Sequence, residues 1–470
     1  MNRLVGAAFA LFLTTAPALA QPFSSEDLAS RTIQRRAIEA VIWGMPAVNY
    51  DLMLREAIKA KAAANQIVYW SRLPDWKNQT LTPNPDSIYL IPFINTKDAG
   101  PVVLEIPPAD EGSITGSIDD GWQTALEDVG PAGVDKGRGG KYLILPPGYT
   151  EKVPEGYIAL PASTYQTYAL LRSILKSGSD ADVAKAVAYS KRIKVYPLAQ
   201  AANPPSTVFV DAIDVVFDST IPYDLRFFQA LDRFVQYEPW LTRDKAMIDM
   251  LKSIGIEKGK PFNPDARTRD TLNAAAAEAH AWLDNYYEAL FEARYFDISR
   301  WVVPASPELI EGLSTNFAKP DSYPTDPRGR AYSMAFFSAK HLGSGQFYLM
   351  TIKDKDGKSF GGGATYRLTV PANAPVSQYW SATAYDRSTH ALIRDQSRSS
   401  RSSQNVGLQK NADGSVDVYF GPKAPAGKEA NWVPTSASGQ FEIMFRLYGP
   451  EKPLFEKTWK LPDVEKISAQ

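Results

Sequence analysis

Asp86 and Asp120 are the residues best suited to acid/base work, because a pair of carboxylates can act as acid and base from positions far apart in sequence. Each stands among groups that suit a polar or aromatic ligand: Asn84 and Tyr89 flank Asp86, while Trp122 follows Asp120, with Asp128 a little further on. Trp and Tyr faces stack on sugars and aromatic rings, and Asn or Asp side chains meet hydroxyls. A second set, Trp380, Tyr385, Asn431, Trp432 and Arg446, offers the same chemistry towards the C-terminus. Arg446 lies in an apolar run, so its burial requires a partner, and Asp386 is the nearby carboxylate that could serve. A polar turn over a core, or a structural salt bridge, would explain any one of these residues without a ligand.

Other chemistries find less support. The chain has no cysteine, which removes thiol nucleophiles, Cys-bound zinc, iron–sulfur clusters and disulfides. Its three histidines, His280, His341 and His390, show none of the spacings of a ligand pair. A serine hydrolase would carry G-x-S-x-G; the nearest match, Gly343-Ser344-Gly345 after His341, reads as a flexible loop. There is no phosphate-binding G-x-x-x-x-G-K-S/T, and Gly361-Gly-Gly363 reads as a hairpin loop. Asp119-Asp120 and the pair Asp354, Asp356 could offer oxygens to a calcium ion but lack EF-hand spacing and read better as solvated turns, as Arg394, Arg398 and Arg401 read as a basic loop able to meet an anion. No metal and no cofactor is expected.

The elements that must position these residues follow from pattern. The chain has 470 residues, 51 Lys+Arg against 52 Asp+Glu and 44% hydrophobic residues, the balance of a globular protein of about three domains by the ~150-residue prior. Near-neutral charge argues against nucleic acid as a partner. Arg3, the apolar run Leu4 to Leu13 and Ala18-Leu-Ala20 have the form of a signal peptide cut after Ala20, which predicts a periplasmic or secreted protein. That apolar run is too short to span a bilayer, and no integral membrane segment is expected.

Residues 21–177 are expected to form an N-terminal helix, capped at Ser24-Ser25-Glu26-Asp27 and broken near Pro46, followed by a first β domain. Residues 178–300 read as helical, with the stripe Leu272, Ala276, Ala279, Leu283, Tyr286, Leu290 and Ala293. Residues 301–470 read as a second β domain, with strands at Thr365 to Val370, Ser377 to Tyr385, Val416 to Phe420 and Phe441 to Leu447. The fold class is therefore α+β, mainly β, with two β-sandwich or barrel domains joined by helices. The two β regions resemble each other: Tyr89-Leu90 with Tyr348-Leu349, Leu104 to Pro107 with Leu368 to Pro371, Pro161 with Pro434, and Ala169 to Arg172 with Ile443 to Arg446. Tandem duplication and chance likeness of generic strands both account for these matches.

The phrases Trp43-Gly-Met-Pro-Ala47, Leu81-Thr-Pro-Asn84-Pro-Asp86-Ser-Ile-Tyr89 and Gly139 to Gly148 resemble the bacterial family catalogued as domain of unknown function 1254. Gln378-Tyr-Trp380-Ser-Ala-Thr-Ala-Tyr385-Asp386, Asn431-Trp432-Val-Pro434 and Phe445-Arg446-Leu-Tyr448-Gly-Pro450 resemble its usual partner, domain of unknown function 1214. The resemblance implies a jelly-roll-like C-terminal domain and no established reaction. The residues themselves point to a small polar or aromatic ligand near Asn84, Asp86, Tyr89, Asp120 and Trp122, with metal-independent hydrolysis or elimination as the chemistry if the ligand is turned over. The rival reading is a non-catalytic envelope or surface protein that binds a polymer or protein partner. A homo-oligomer is compatible with either.

Overall fold

The computed structural model describes residues 23–335, 339–341 and 345–468. The expected leader at residues 1–20 and the Gly343-Ser344 pair lie outside them. Among the described residues no helix is long and apolar enough to cross a membrane.

Eight helices run in the order α1 (Ser25–Lys59), α2 (Asp180–Ser190), α3 (Leu225–Tyr237), α4 (Met247–Ser253), α5 (Ala266–Leu290), α6 (Pro307–Ser314), α7 (Thr325–Met334) and α8 (Lys452–Phe455) among the described residues. Helix α1 starts at the expected cap: the Ser24 side chain accepts from the Asp27 N–H and Asp27 reaches back to the Ser24 N–H. The break expected at Pro46 does not occur. Burial of nearly every residue from Ala40 to Leu54, against α3, α5 and α7, carries the helix through the proline. Pro46 leaves the Ile42 carbonyl without its usual donor, and α7 approaches that carbonyl at Gly329, where a Cβ would stand 2.8 Å from it. The stripe on α5 is buried as expected at Leu272, Ala276, Ala279, Leu283 and Leu290, but it turns inward at Tyr287 rather than Tyr286, and Ala293 lies exposed beyond the helix end.

The first β domain holds β1 (Gln66–Tyr69), β2 (Asn78–Gln79), β3 (Ile88–Asn95), β4 (Val102–Ile106), β5 (Ile114–Asp120), β6 (Ala125–Val129), β7 (Gly140–Leu145), β8 (Ile158–Pro161) and β9 (Gln166–Ser173). The stretch 178–300 is not helical throughout. It contributes β10 (Lys194–Pro197), β11 (Phe209–Asp211) and β12 (Phe217–Asp218), which pair back onto β4, β1 and β2, because those sheets need edge partners more than the linker needs another helix. The second domain holds β13 (Gln346–Thr351), β14 (Phe360–Gly361), β15 (Thr365–Val370), β16 (Val376–Asp386), β17 (Ser400–Ser402), β18 (Val416–Gly421), β19 (Trp432–Pro434), β20 (Gln440–Pro450) and β21 (Glu465–Ile467).

Each domain is a sandwich of two sheets, and the two repeat one topology. The large sheets run β3-β9-β5-β6 and β13-β20-β16-β17, and the small ones β10-β4-β7-β8 and β21-β15-β18-β19. Chain order agrees strand for strand. So does direction: β7/β8 and β18/β19 are the parallel pairs, and the other equivalent pairs are antiparallel. The internal likenesses in the sequence all fall on equivalent strands, and the register agrees, with Tyr89 opposite Arg172 and Tyr348 opposite Arg446. Chance likeness of unrelated strands would not reproduce order, direction and register together.

Alternation along the strands divides the faces. Leu90, Ile118, Ala169 and Leu171 pack inside the first sandwich, while Tyr89, Ile91, Tyr168 and Leu170 point outward onto the core around α1. One turn depends on glycine. Gly130 has φ +87°, and a Cβ there would stand 1.8 Å from the Ile114 carbonyl. Gly130→Ala is expected to lower stability by more than ~1 kcal/mol in urea denaturation, since both the dihedral and the backbone contact oppose a side chain.

Candidate functional site

The outer face of the second large sheet is polar where an outer face packed on another domain is usually apolar. On β16 the side chains of Tyr379, Ser381, Thr383 and Tyr385 alternate with the core residues Trp380, Ala382 and Ala384; on β20 Glu442, Met444, Arg446 and Tyr448 alternate with Ile443, Phe445 and Leu447. Cross-strand pairing sets Tyr379 beside Tyr448, Ser381 beside Arg446 and Tyr348 beside Arg446. The Thr82–Asp86 segment of the first domain lies over this face.

Arg446 is 2% exposed. Its Nη2 donates to the carbonyl of Thr82 at 2.8 Å and to the Tyr385 hydroxyl at 2.5 Å, with the Pro83 carbonyl at 3.4 Å, and its Nη1 donates to Thr383 Oγ1 at 3.1 Å. The expected ion pair with Asp386 is not formed. Asp386 instead accepts from the Ser388 N–H and hydroxyl in its own turn, because the strand ends there. Asn84 donates through Nδ2 to the hydroxyls of Ser87, Tyr379 and Tyr448, and its N–H donates to the Tyr89 hydroxyl at 2.8 Å. The rings of Tyr379 and Tyr448 stack at 4.5 Å. Asp86 accepts from Ser400 Oγ on β17 at 2.8 Å. Burial pushes its pKa up to about 6, opposed by the Ser400 hydrogen bond, the Arg446 charge and Ser381. Burial also raises the Tyr448 phenol, but Arg172 and Arg446 nearby, with hydrogen bonds to Tyr348 and Asn84, bring it below its ordinary value.

Five of the ten candidate residues thus meet: Asn84, Asp86, Tyr89, Tyr385 and Arg446. The other five serve elsewhere. Asp120 closes the turn after β5, accepting from the Trp122 and Thr124 N–H groups and from Ser163 Oγ. Trp122 packs on Trp43 and Phe234 beneath α1, so the pairing of Asp86 with Asp120 as acid and base has no common site. Trp380 stacks on Phe445 inside the second sandwich. Asn431 clamps the Gln409 and Asp417 backbone, and Trp432 Nε1 donates to the Gly421 carbonyl. Asp128 binds the N–H groups of Lys340 and His341. Arg394 pairs with Asp218, whereas Arg398 and Arg401 line an open basin of about 810 Å³ between the domains, with Ser179 and Asp180 opposite.

Single-residue reasoning missed Arg172, Tyr348, Tyr379 and Tyr448. The internal repeat contained the signal, since it aligns Arg172 with Arg446 and Tyr89 with Tyr348. Also missed was the buried Glu442, which binds His390 Nδ1 and the Tyr287 hydroxyl, each at 2.8 Å. The His390 carbonyl accepts from the Thr82 N–H, so this cluster anchors the segment that meets Arg446.

Fold and site together define a two-sandwich protein with one polar seam shared by both halves. Residues 64–197 match the family model described as protein of unknown function (DUF1254), and residues 345–452 match protein of unknown function (DUF1214). The chain belongs to the family of proteins that carry these two domains in tandem. Its fold is similar to that of the VPA0106 protein from Vibrio parahaemolyticus, with TM-score 0.56 and 16% identity over 93% of this chain and 100% of that one. At that identity the likeness concerns the fold alone. An uncharacterized protein from Burkholderia cenocepacia aligns over 94% of this chain and 96% of its own, with 10% identity and TM-score 0.43. No curated protein matches the chain.

Proposed function

We propose that the protein is exported and binds a small polar ligand with an acidic group at the seam between its two sandwiches. The observation that supports this reading is the bonding of Arg446: a buried guanidinium spent on carbonyls and hydroxyls, with no carboxylate hydrogen-bonded to it. A guanidinium held this way keeps its charge available, and a carboxylate or phosphate is the group that planar fork recognises best. Tyr448, Tyr379 and Asn84 add donors for hydroxyls, and the two tyrosine rings add a stacking face. Entry requires the Thr82–Asp86 segment to lift from β20. If the ligand is turned over, Asp86 is the proton carrier: it titrates close to neutral pH and acts as base above about pH 6, in hydrolysis or elimination that needs no metal. Export rests on the basic start, apolar run and Ala-Leu-Ala motif of residues 1–20.

A thermal-shift screen of the purified protein against small carboxylates, phosphates, sugars and aromatic acids tests the proposal, since a ligand of the native state raises Tm. At least one acidic compound is expected to do so, with the shift lost in Tyr448→Phe, which removes one hydroxyl and keeps the ring. No shift with any compound, or a shift unchanged in both Tyr448→Phe and Arg446→Lys, would refute a ligand at the seam.

A further inference from the structure

The equivalent arginine of the first sandwich is in a different situation. Arg172 is 7% exposed, lies over the Tyr89 ring at 5.2 Å, and its Nε has no hydrogen-bond partner. Its strongest electrostatic neighbours are the hydroxyls of Tyr89, Tyr348 and Tyr448. Unlike Arg446, it lines a narrow cavity of about 20 Å³, enough for one occupant the size of a water. The polar walls are Asn78, Thr80, Thr82 and Tyr89, and Met53, Ile91 and Leu170 form part of the remainder. Asn78 Oδ1 already accepts from the N–H and hydroxyl of Thr80. Arg172 is thus a buried cation that meets the Tyr89 hydroxyl, with no carboxylate lining the cavity and its Nε unpartnered, so it lacks a carboxylate counter-charge there.

We propose that this cavity binds a chloride-sized monovalent anion on Arg172. The anion neutralises the guanidinium and fixes the Asn78–Pro83 segment, whose Thr82 and Pro83 carbonyls serve Arg446. The inference stands whether or not the seam takes an organic ligand.

Crystals of the whole chain grown in bromide, with anomalous diffraction, give the direct test. Bromide is expected in the cavity within contact of Arg172. In solution, Tm of the wild type should rise with chloride or bromide at ionic strength held constant with gluconate, and continue rising with the logarithm of concentration above Kd. That dependence should vanish in Arg172→Gln. An ordered water with no anomalous signal in the cavity, or a Tm that follows ionic strength equally for halide and gluconate, would overturn the proposal. So would tyrosinate absorbance at neutral pH that disappears in Tyr448→Phe, because the counter-charge would then be Tyr448 itself. The bromide experiment uses wild-type protein and does not depend on the variant folding.

Discussion

Arg446→Ala is expected to destabilise the protein by on the order of 4 kcal/mol, the largest effect of any single substitution at the seam. Two terms add. Truncation opens a cavity among Tyr348, Tyr385 and Thr383, and it leaves the Thr82 carbonyl and the Thr383 and Tyr385 hydroxyls without their donor in a place water does not reach. An orphaned buried polar group costs ~1–3 kcal/mol. Because these bonds tie a segment of the first domain to a strand of the second, loss should also loosen the coupling between sandwiches. Urea denaturation followed by two probes should then show transitions that no longer coincide. Arg446→Met, which restores volume without donors, should fall between wild type and Ala. A cost within ~1 kcal/mol for Ala would mean that Asn84 and His390 hold the Thr82–Asp86 segment without Arg446, since surface-like values indicate no buried network.

Asp86→Asn is expected to stabilise the protein at neutral and alkaline pH, the second large effect. The folded pKa of Asp86, about 6, lies above its ordinary value of 3.8. Above about pH 6 the carboxyl is ionised in both folded and unfolded chains, and the folded state bears the full desolvation cost, on the order of 3 kcal/mol at 1.36 kcal/mol per unit. As pH falls through 6 towards 4 the folded chain takes up the proton first and stability rises; below about pH 4 both states are protonated and the cost is gone. The variant should therefore lead wild type at pH 8 and lose its lead by pH 4, read from denaturation midpoints at each pH. Glu238, which burial raises to about 7 against hydrogen bonds from the Tyr165 and Gln166 N–H groups, contributes wild-type pH dependence of the same sign, so the comparison must be made variant by variant. A difference independent of pH would show that Asp86 does not titrate as described. A carboxyl retained at a cost to stability is the pattern of a functional group.

The pattern of residues carried much of the architecture. Ser24 and Asp27 announced the first cap, the apolar runs bounded by Gly, Pro and Asp became strands, and the stripe from Leu272 to Leu290 became α5. Pro46 misled because the rule that proline ends a helix describes an isolated helix, whereas α1 is enclosed by three others and α7 brings a glycine to the one carbonyl left undonated. Strands β10 to β12 were hidden because two to four residues carry too little periodicity to stand out from a helical stretch.

The site divided along a different line. Asn84, Asp86, Tyr89, Tyr385 and Arg446 were recognisable as residues able to do chemistry, yet so were Asp120, Asn431 and Trp432, which bind only nearby backbone and side chains. Residue type and local spacing are the same in both groups. What separates them is whether a side chain points into its own sandwich or turn, or out towards the other sandwich. Sequence by itself determined the two β domains and the helices that join them, because those follow from periodicity and turn chemistry within a few residues, while it left the repeat open. Only the tertiary structure decided that the outward faces of two equivalent sheets meet, bringing Arg172 and Arg446 to one set of tyrosines, because contacts between residues some three hundred positions apart leave no periodic trace in either.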